Sequence, residues 1–200
     1  MPCPVAEVDA HGVLREVLVD AAGAETLGDP LAGDDLAWAR RWWPADRPGD
    51  RVEVGAPRDR AWQTLLDTWR PRAAVAIDYA HTVATRPAAG SLTGYRHGAQ
   101  VLPVPDGSCD LTAHVAADSL RPPLVLDQAD AVRRWAPPDP PPDHALARQD
   151  PAGYVAALSR RSARTALMAG PLGGFSWSVW PSGWAGSSAS STADPASGAG

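Results

Sequence analysis

A chain of 200 residues with a hydrophobic fraction of 44% has the material for one domain, or one domain and a tail, and its net charge of -5 argues against a nucleic-acid binder. Arg40, Arg41, Arg47, Arg51, Arg58 and Arg60 cluster, but Asp46, Asp50, Glu53 and Asp59 are interleaved with them, as on a mixed solvated face. No apolar run approaches a membrane span, "MPCPVAEVDA" has no basic leader, and Cys3 and Cys109 lie far apart without a CxxC, so a cytoplasmic protein with reduced thiols is expected.

In chain order, "PVAEVDAHGVLREVLVDA" reads as two strands around a His11-Gly12 reversal. "DPLAGDD" is a turn-rich link, with Asp34 or Asp35 expected to cap a short helix through Trp43, stopped by Pro44. "APRDRAWQTLLDTWRP" is the clearest helix: Pro57 suits its first turn, and Trp62, Leu65, Leu66 and Trp69 recur at helical spacing. Pro71 ends it. The apolar run of residues 73–79 then reads as a strand in the interior of a parallel sheet, with Ile77 buried. "AHTVATRPAAG" is a loop, and "SLTGYRHGAQVLPVP" is β with glycine interruptions. "DLTAHV" is a short strand or a helix start capped by Asp110.

"PLVLDQADAVRRW" reads as strand then helix with Asp127 as cap, and "APPDPPPDHA" as an extended proline-rich loop. "DPAGYVAALSRRSARTALM" is helical, "GPLGG" a helix cap and turn, and "GGFSWSVWP" a strand. Residues 182–200 have the Ser, Gly and Ala content of a disordered tail, leaving 1–181 as the domain. All eighteen basic residues are Arg, and neither Lys nor Asn occurs; this matches a GC-rich bacterial genome and weakens arguments from arginine abundance.

The chemistry-bearing positions are few. Asp78 and Tyr79 close the strand at its carboxyl end, where open α/β sheets bind ligands; the plain alternative is a turn Asp beside a packed Tyr. In "GYRHG", Arg96 is suited to a carboxylate and His97 to proton exchange, against an ordinary glycine-bounded hairpin. His81, His97 and His114 match no zinc spacing, and no G-x-S-x-G elbow occurs. No glycine-rich loop follows a strand and opens a helix.

Three stretches taken together resemble the MidA-like S-adenosylmethionine-dependent methyltransferases, especially their actinobacterial members. "AVAIDYAHT" resembles the family's D-Y-G strand end. "GSLTGYRHGAQV" with "GSCDLTAHV" resembles its G-T-L-R-x-Y-x-x-H and D-L-T-A-H-V segments. "DPAGYVAALSRRSARTALMAGPLGGFSWSVW" is similar to its final helix and strand. Asp78 and Tyr79 match the D-Y pair, with Ala80 in place of the usual Gly. Gly94, Tyr95, Arg96 and His97 fall in the G-Y-R-H region, where Thr93 stands at a position commonly Arg. Asp110, Leu111, Thr112, Ala113 and His114 match D-L-T-A-H.

The resemblance implies the carboxyl-terminal part of a class I, Rossmann-like methyltransferase sheet with β-hairpin additions. "MPCPVAEV" resembles a strand that the family reaches halfway through its domain, so the cofactor-binding strands are expected to be missing. It implies S-adenosylmethionine as cofactor, with no cofactor-binding residue identified. Mitochondrial relatives methylate an arginine of a respiratory complex I subunit, so a protein substrate and arginine N-methylation are implied. Asp78, Tyr79, His97 and His114 are the catalytic candidates, and Arg96, Asp110 and Thr112 the substrate-binding ones. The chain is expected to be inactive alone: truncated, or half of a split enzyme whose partner completes the sheet. The rival is a non-enzymatic interaction fragment that uses its tryptophans. No metal, nucleic acid or membrane is expected.

Overall fold

The computed structural model describes residues 4–138 and 140–183, so the expected tail lies, from residue 184 on, outside the described residues. β1 (Val5–Val8) and β2 (Leu14–Val19) form the expected antiparallel hairpin. Asp9 builds its turn by accepting the backbone N–H groups of His11 and Val13, and Gly12 closes it at φ 79°. Two strands that sequence analysis does not anticipate flank this pair. β3 (Glu25–Pro30) pairs with β2, and β4 (Arg51–Glu53) pairs with β1, giving the order β3-β2-β1-β4. Arg51 ties three of these strands, donating to Glu7 at 2.9 Å and forming a second ion pair with Glu25.

α1 (Gly33–Trp42) packs on this sheet, and Trp38, Trp43, Val52 and Val54 join one buried cluster. Asp34 and Asp35 sit inside its first turn and are not its cap, which is Ala32 with no side-chain bond; they favour the positive end of the helix dipole. α2 (Ala56–Trp69) forms where the 3.6-residue period places it, with proline in its first turn. Leu66 is buried, whereas Leu65 and Trp69 face outward, Trp69 being 78% exposed.

β5 (Ala74–Asp78) follows, then β6 (Ala80–His81), a 3-10 turn over Val83–Thr85, β7 (Thr93–Arg96) and β8 (Ala99–Val101). β9 (Asp110–Thr112) and β10 (Val115–Ala116) resolve "DLTAHV" as strand, and a second 3-10 turn spans Ala117–Leu120. β11 (Leu124–Asp127) leads directly into α3 (Gln128–Trp135), capped as expected: the Asp127 carboxylate accepts from Asp130 N–H at 2.7 Å. α4 (His144–Gln149), α5 (Pro151–Leu167), the short α6 (Gly170–Gly173) and β12 (Ser176–Trp180) are the last elements among the described residues. The Gln128 amide donates to the carbonyls of Leu167 and Leu172, pinning α3 to the end of α5.

The molecule is a mixed α/β fold with four sheets among the described residues. β8-β7-β9 is a small antiparallel sheet, and β6 pairs in parallel with β10. β11, β12 and β5 form an antiparallel sheet in that order. This corrects the expectation for residues 73–79. β5 lies at the edge, paired antiparallel with β12, and Ile77 is 47% exposed. An unbroken apolar run specifies a strand that can be covered on both sides, but its neighbours must come from elsewhere in the fold, and here they cover one edge.

Candidate functional site

Asp78 ends β5 with its carboxylate held only by the adjacent Tyr79 N–H at 2.8 Å, and no cation among the described residues pairs with it. The Tyr79 ring is stacked between Phe175, at 4.2 Å between centroids, and His114, at 5.5 Å. The Tyr79 carbonyl accepts from Val115 N–H at 2.7 Å, which brings the start of β10 alongside the exit of β5. Asp78, Thr112 and His114 thereby line one cleft of about 670 Å³, together with Glu53 and Arg58. A neighbouring hollow of about 210 Å³ shares Arg58 and Asp78 and is walled by Trp62, Ala76, Ile77 and Ala117.

Two buried clusters hold this wall in place, and sequence reasoning missed both. Glu53 is 3% exposed. It accepts from Ser91 N–H, from Ser91 Oγ at 2.6 Å and from Leu92 N–H at 2.6 Å, and Ser91 Oγ in turn accepts from His114 N–H at 2.7 Å. Gly90 makes the approach possible: at φ +77°, a Cβ there would lie 2.8 Å from Glu53 Oε1. The available signal was a lone acid between two valines in "RVEV", since a buried carboxylate needs hydrogen-bond partners.

Arg86 forms the second cluster, with its side chain 6% exposed. It pairs with Asp118 and donates to the Trp42 carbonyl at 2.9 Å, the His81 carbonyl at 2.9 Å and His81 Nδ1 at 2.6 Å. Nδ1 of His81 is therefore the acceptor and Nε2 carries the proton, buried without a partner among the described residues. Burial, reinforced by the Arg86 charge, lowers the His81 pKa to about 4, so the ring is neutral at neutral pH. It meets Trp43 edge-on at 4.6 Å.

Arg96, His97 and Asp110 belong to the β8-β7-β9 sheet and are not brought into the cleft. His97, at φ 52°, and Gly98, at φ 78°, form the exposed tip of a two-residue hairpin. Arg96 lines a separate hollow of about 420 Å³ with Asp106 and Cys109. Asp110 is exposed and opposite Tyr95 in register. Among the described residues no three His, Cys, Asp or Glu side chains form a metal-ligand set, and no helix is long and apolar enough to cross a membrane. Trp38, Trp43 and Trp180 are core residues, whereas Trp69 and Trp135 (47% exposed) reach the surface.

No family model and no curated protein matches this chain in sequence. Its fold matches the crystal structure of a COG1565 superfamily member from Burkholderia thailandensis, a candidate methyltransferase bound to S-adenosyl-homocysteine. That match has a TM-score of 0.64 at 22% identity and covers 93% of this chain and 51% of that one. A structure of an uncharacterized COG1565 superfamily protein from the same organism matches with a TM-score of 0.63 at 22% identity, covering 93% and 53%. The likeness shows the fold, and this chain spans about half the length of the solved structures it matches.

Proposed function

We propose that this chain forms the acceptor-side wall of an S-adenosylmethionine-dependent methyltransferase, with a protein arginine as the methyl acceptor. The observation that carries the reading is the convergence of Asp78, Thr112 and His114 on one cleft, in a fold shared with a candidate methyltransferase that binds S-adenosyl-homocysteine. Methyl transfer asks a protein mainly to align the acceptor nitrogen and take its proton, because the cofactor supplies the electrophile. Asp78 is suited to the first task, since it is exposed, lines the cleft and makes no ion pair among the described residues. His114 is suited to the second: it stacks on Tyr79 and its backbone is fixed through Ser91 to Glu53.

The cofactor itself does not fit the described residues. Its phosphate-free, sugar-bearing body calls for an open glycine turn between strand and helix, with a carboxylate for the ribose hydroxyls. The turn from β4 into α2 is closed, because a Cβ on Gly55 would lie 2.3 Å from Arg58 and 2.6 Å from Trp38. In this reading the chain corresponds to the carboxyl-terminal portion of the enzyme and is inactive alone, the cofactor side being supplied by further polypeptide.

The acceptor side is testable on the chain as it stands. NMR titration with an arginine-containing peptide should shift the resonances of Asp78, Tyr79 and His114 together, and Asp78→Asn should abolish the shifts. Unperturbed resonances, or shifts that survive Asp78→Asn, would sink the assignment of Asp78. A second reading, a non-enzymatic interaction fragment, draws on the 78% exposure of Trp69. It predicts that Trp69→Ala weakens partner capture while Asp78→Asn does not.

A further inference from the structure

The cleft at the end of β5 changes character along its length. One wall is a face of the four-stranded sheet. Directly paired residues of an antiparallel sheet share a face, as do alternate residues of one strand. Val5, Glu53, Val17, Val19 and Glu25 therefore lie together, opposite the face that α1 covers, and all five line the cleft. The other wall runs from Leu111 in β9 through His114 to Val115, whose N–H is bonded to the Tyr79 carbonyl beside Asp78. Val19 is 47% and Leu111 49% exposed, and Pro103 and Pro105 line the cleft with them, so the end away from Asp78 is apolar and open. The turn between β2 and β3 bounds this end. Gly23, at φ +85°, approaches the segment after β8 so closely that a Cβ there would lie 3.0 Å from Val104 Cγ2.

Of the charged groups lining the cleft, three are already engaged. Glu25 is paired with Arg51, Glu53 accepts from Ser91 and Leu92, and Arg58 is paired with Asp59. Asp78 accepts the Tyr79 N–H and meets no cation among the described residues. Leu111 and His114 are three residues apart, so at most about 10 Å of extended chain separates the apolar end from the charged one.

Resting on the methyltransferase reading, we propose that this groove reads the sequence around the acceptor arginine. Asp78 seats the guanidinium, and Val17, Val19, Pro103, Pro105 and Leu111 take a large apolar side chain within about three residues of it. Charge selects this occupant. A ligand that fills both ends carries a cation for Asp78 and an apolar group about 10 Å away. An acidic segment would meet Asp78 with like charge, and a free amino acid offers the cation without the apolar group. Residues 184–200 hold no basic residue, so the chain's own tail cannot supply the cation.

The test is NMR titration of the full chain with short capped peptides. The first has a central arginine with leucine three residues to either side; the second has serine for both leucines; the third has glutamine for the arginine. The first should shift Asp78, His114, Val19 and Leu111 together and bind roughly tenfold more tightly than the second, the worth of burying about half of a leucine side chain. The double variant Val19→Asp, Leu111→Asp should erase that preference while keeping the circular dichroism and thermal transition, because both side chains already face solvent. Val155→Asp, on α5 outside the groove, should leave the preference intact. Equal affinity for the first two peptides, with Asp78 still shifted, overturns the proposal and leaves the methyltransferase reading standing. Binding that follows leucine and ignores the arginine sinks both. A preference that survives the two aspartates overturns the proposal. So do Val19 and Leu111 resonances that move on dilution of the chain alone, which gives the apolar end to a second copy, or on deleting residues 184–200, which gives it to the tail.

Discussion

The two larger sheets of this molecule contain similar residues and treat them differently. In the four-stranded sheet, Ala6 and Val52 are 0% exposed and Val8 2%, because α1 and the segment around Trp43 cover one face. In the three-stranded sheet, Val75, Ile77 and Val125 are all more than 40% exposed, although the strands that carry them are as apolar. Burial in the first sheet belongs to β1 and β4, since Leu18 and Val19 on β2 and Leu27 on β3 are 52%, 47% and 45% exposed. The second is buried along its middle strand β12, where Val179 is 5% exposed, and open at both β5 and β11. Apolar content sets what a strand prefers, and the neighbours the fold supplies decide whether the preference is met.

The joint between the two regions is the place to break this contrast most severely. Arg86 bonds Trp42 at the end of α1, His81 in β6 and Asp118 before β11. Arg86→Met should leave the Asp118 carboxylate and two carbonyl oxygens without their donor and cost about 3–5 kcal/mol in urea unfolding. A loss below about 1 kcal/mol would mean that the two regions do not depend on this joint.

Acid should attack the same joint. The folded-state pKa of His81 is about 4, below its ordinary value of 6.5, so the unfolded chain binds the proton more readily. Its contribution is fully present above about pH 6.5 and is lost as pH falls toward 4, amounting to about 3 kcal/mol. His81→Asn should flatten this part of the stability profile. An unchanged acid limb in that variant would place the sensitivity elsewhere.

A matched pair of truncations measures the contrast itself. Val52→Ala in the buried β1–β4 pair should cost about 2 kcal/mol, and Val75→Ala at the open edge less than about 0.5 kcal/mol. Equal losses would show that β5 is already covered in solution. Between these two in size, Asp127→Ala removes the cap of α3 and should cost about 1 kcal/mol by chemical denaturation.

What the sequence disclosed follows the same division. α2, α3 with its Asp127 cap, α5 with Pro151 and the β1–β2 hairpin were legible, because period, cap and turn chemistry are local. β3 and β4 were not. "ETLGDP" has no apolar alternation and ends in proline, and "RVE" is three residues, so both strands exist only through pairing with β2 and β1. Ile77 was misplaced because an apolar run does not say whether a strand lies inside a sheet or at its edge.

At the site, Asp78, Thr112 and His114 were readable as positions, and the structure joins them. Glu53, Ser91 and Arg58 were not singled out, since their roles arise from contacts 23 to 61 residues away in sequence. The glycine-bounded hairpin considered for "GYRHG" is what forms there, which leaves His97 at an exposed tip.

The central claim is a division of labour, in which this chain builds the acceptor wall and the cofactor is held by other polypeptide. Calorimetric titration of the purified chain with S-adenosyl-homocysteine tests it most directly. The account predicts no saturable heat at micromolar ligand from the chain alone. Saturable binding at micromolar concentration would contradict it, because residues 1–200 would then hold a cofactor site of their own.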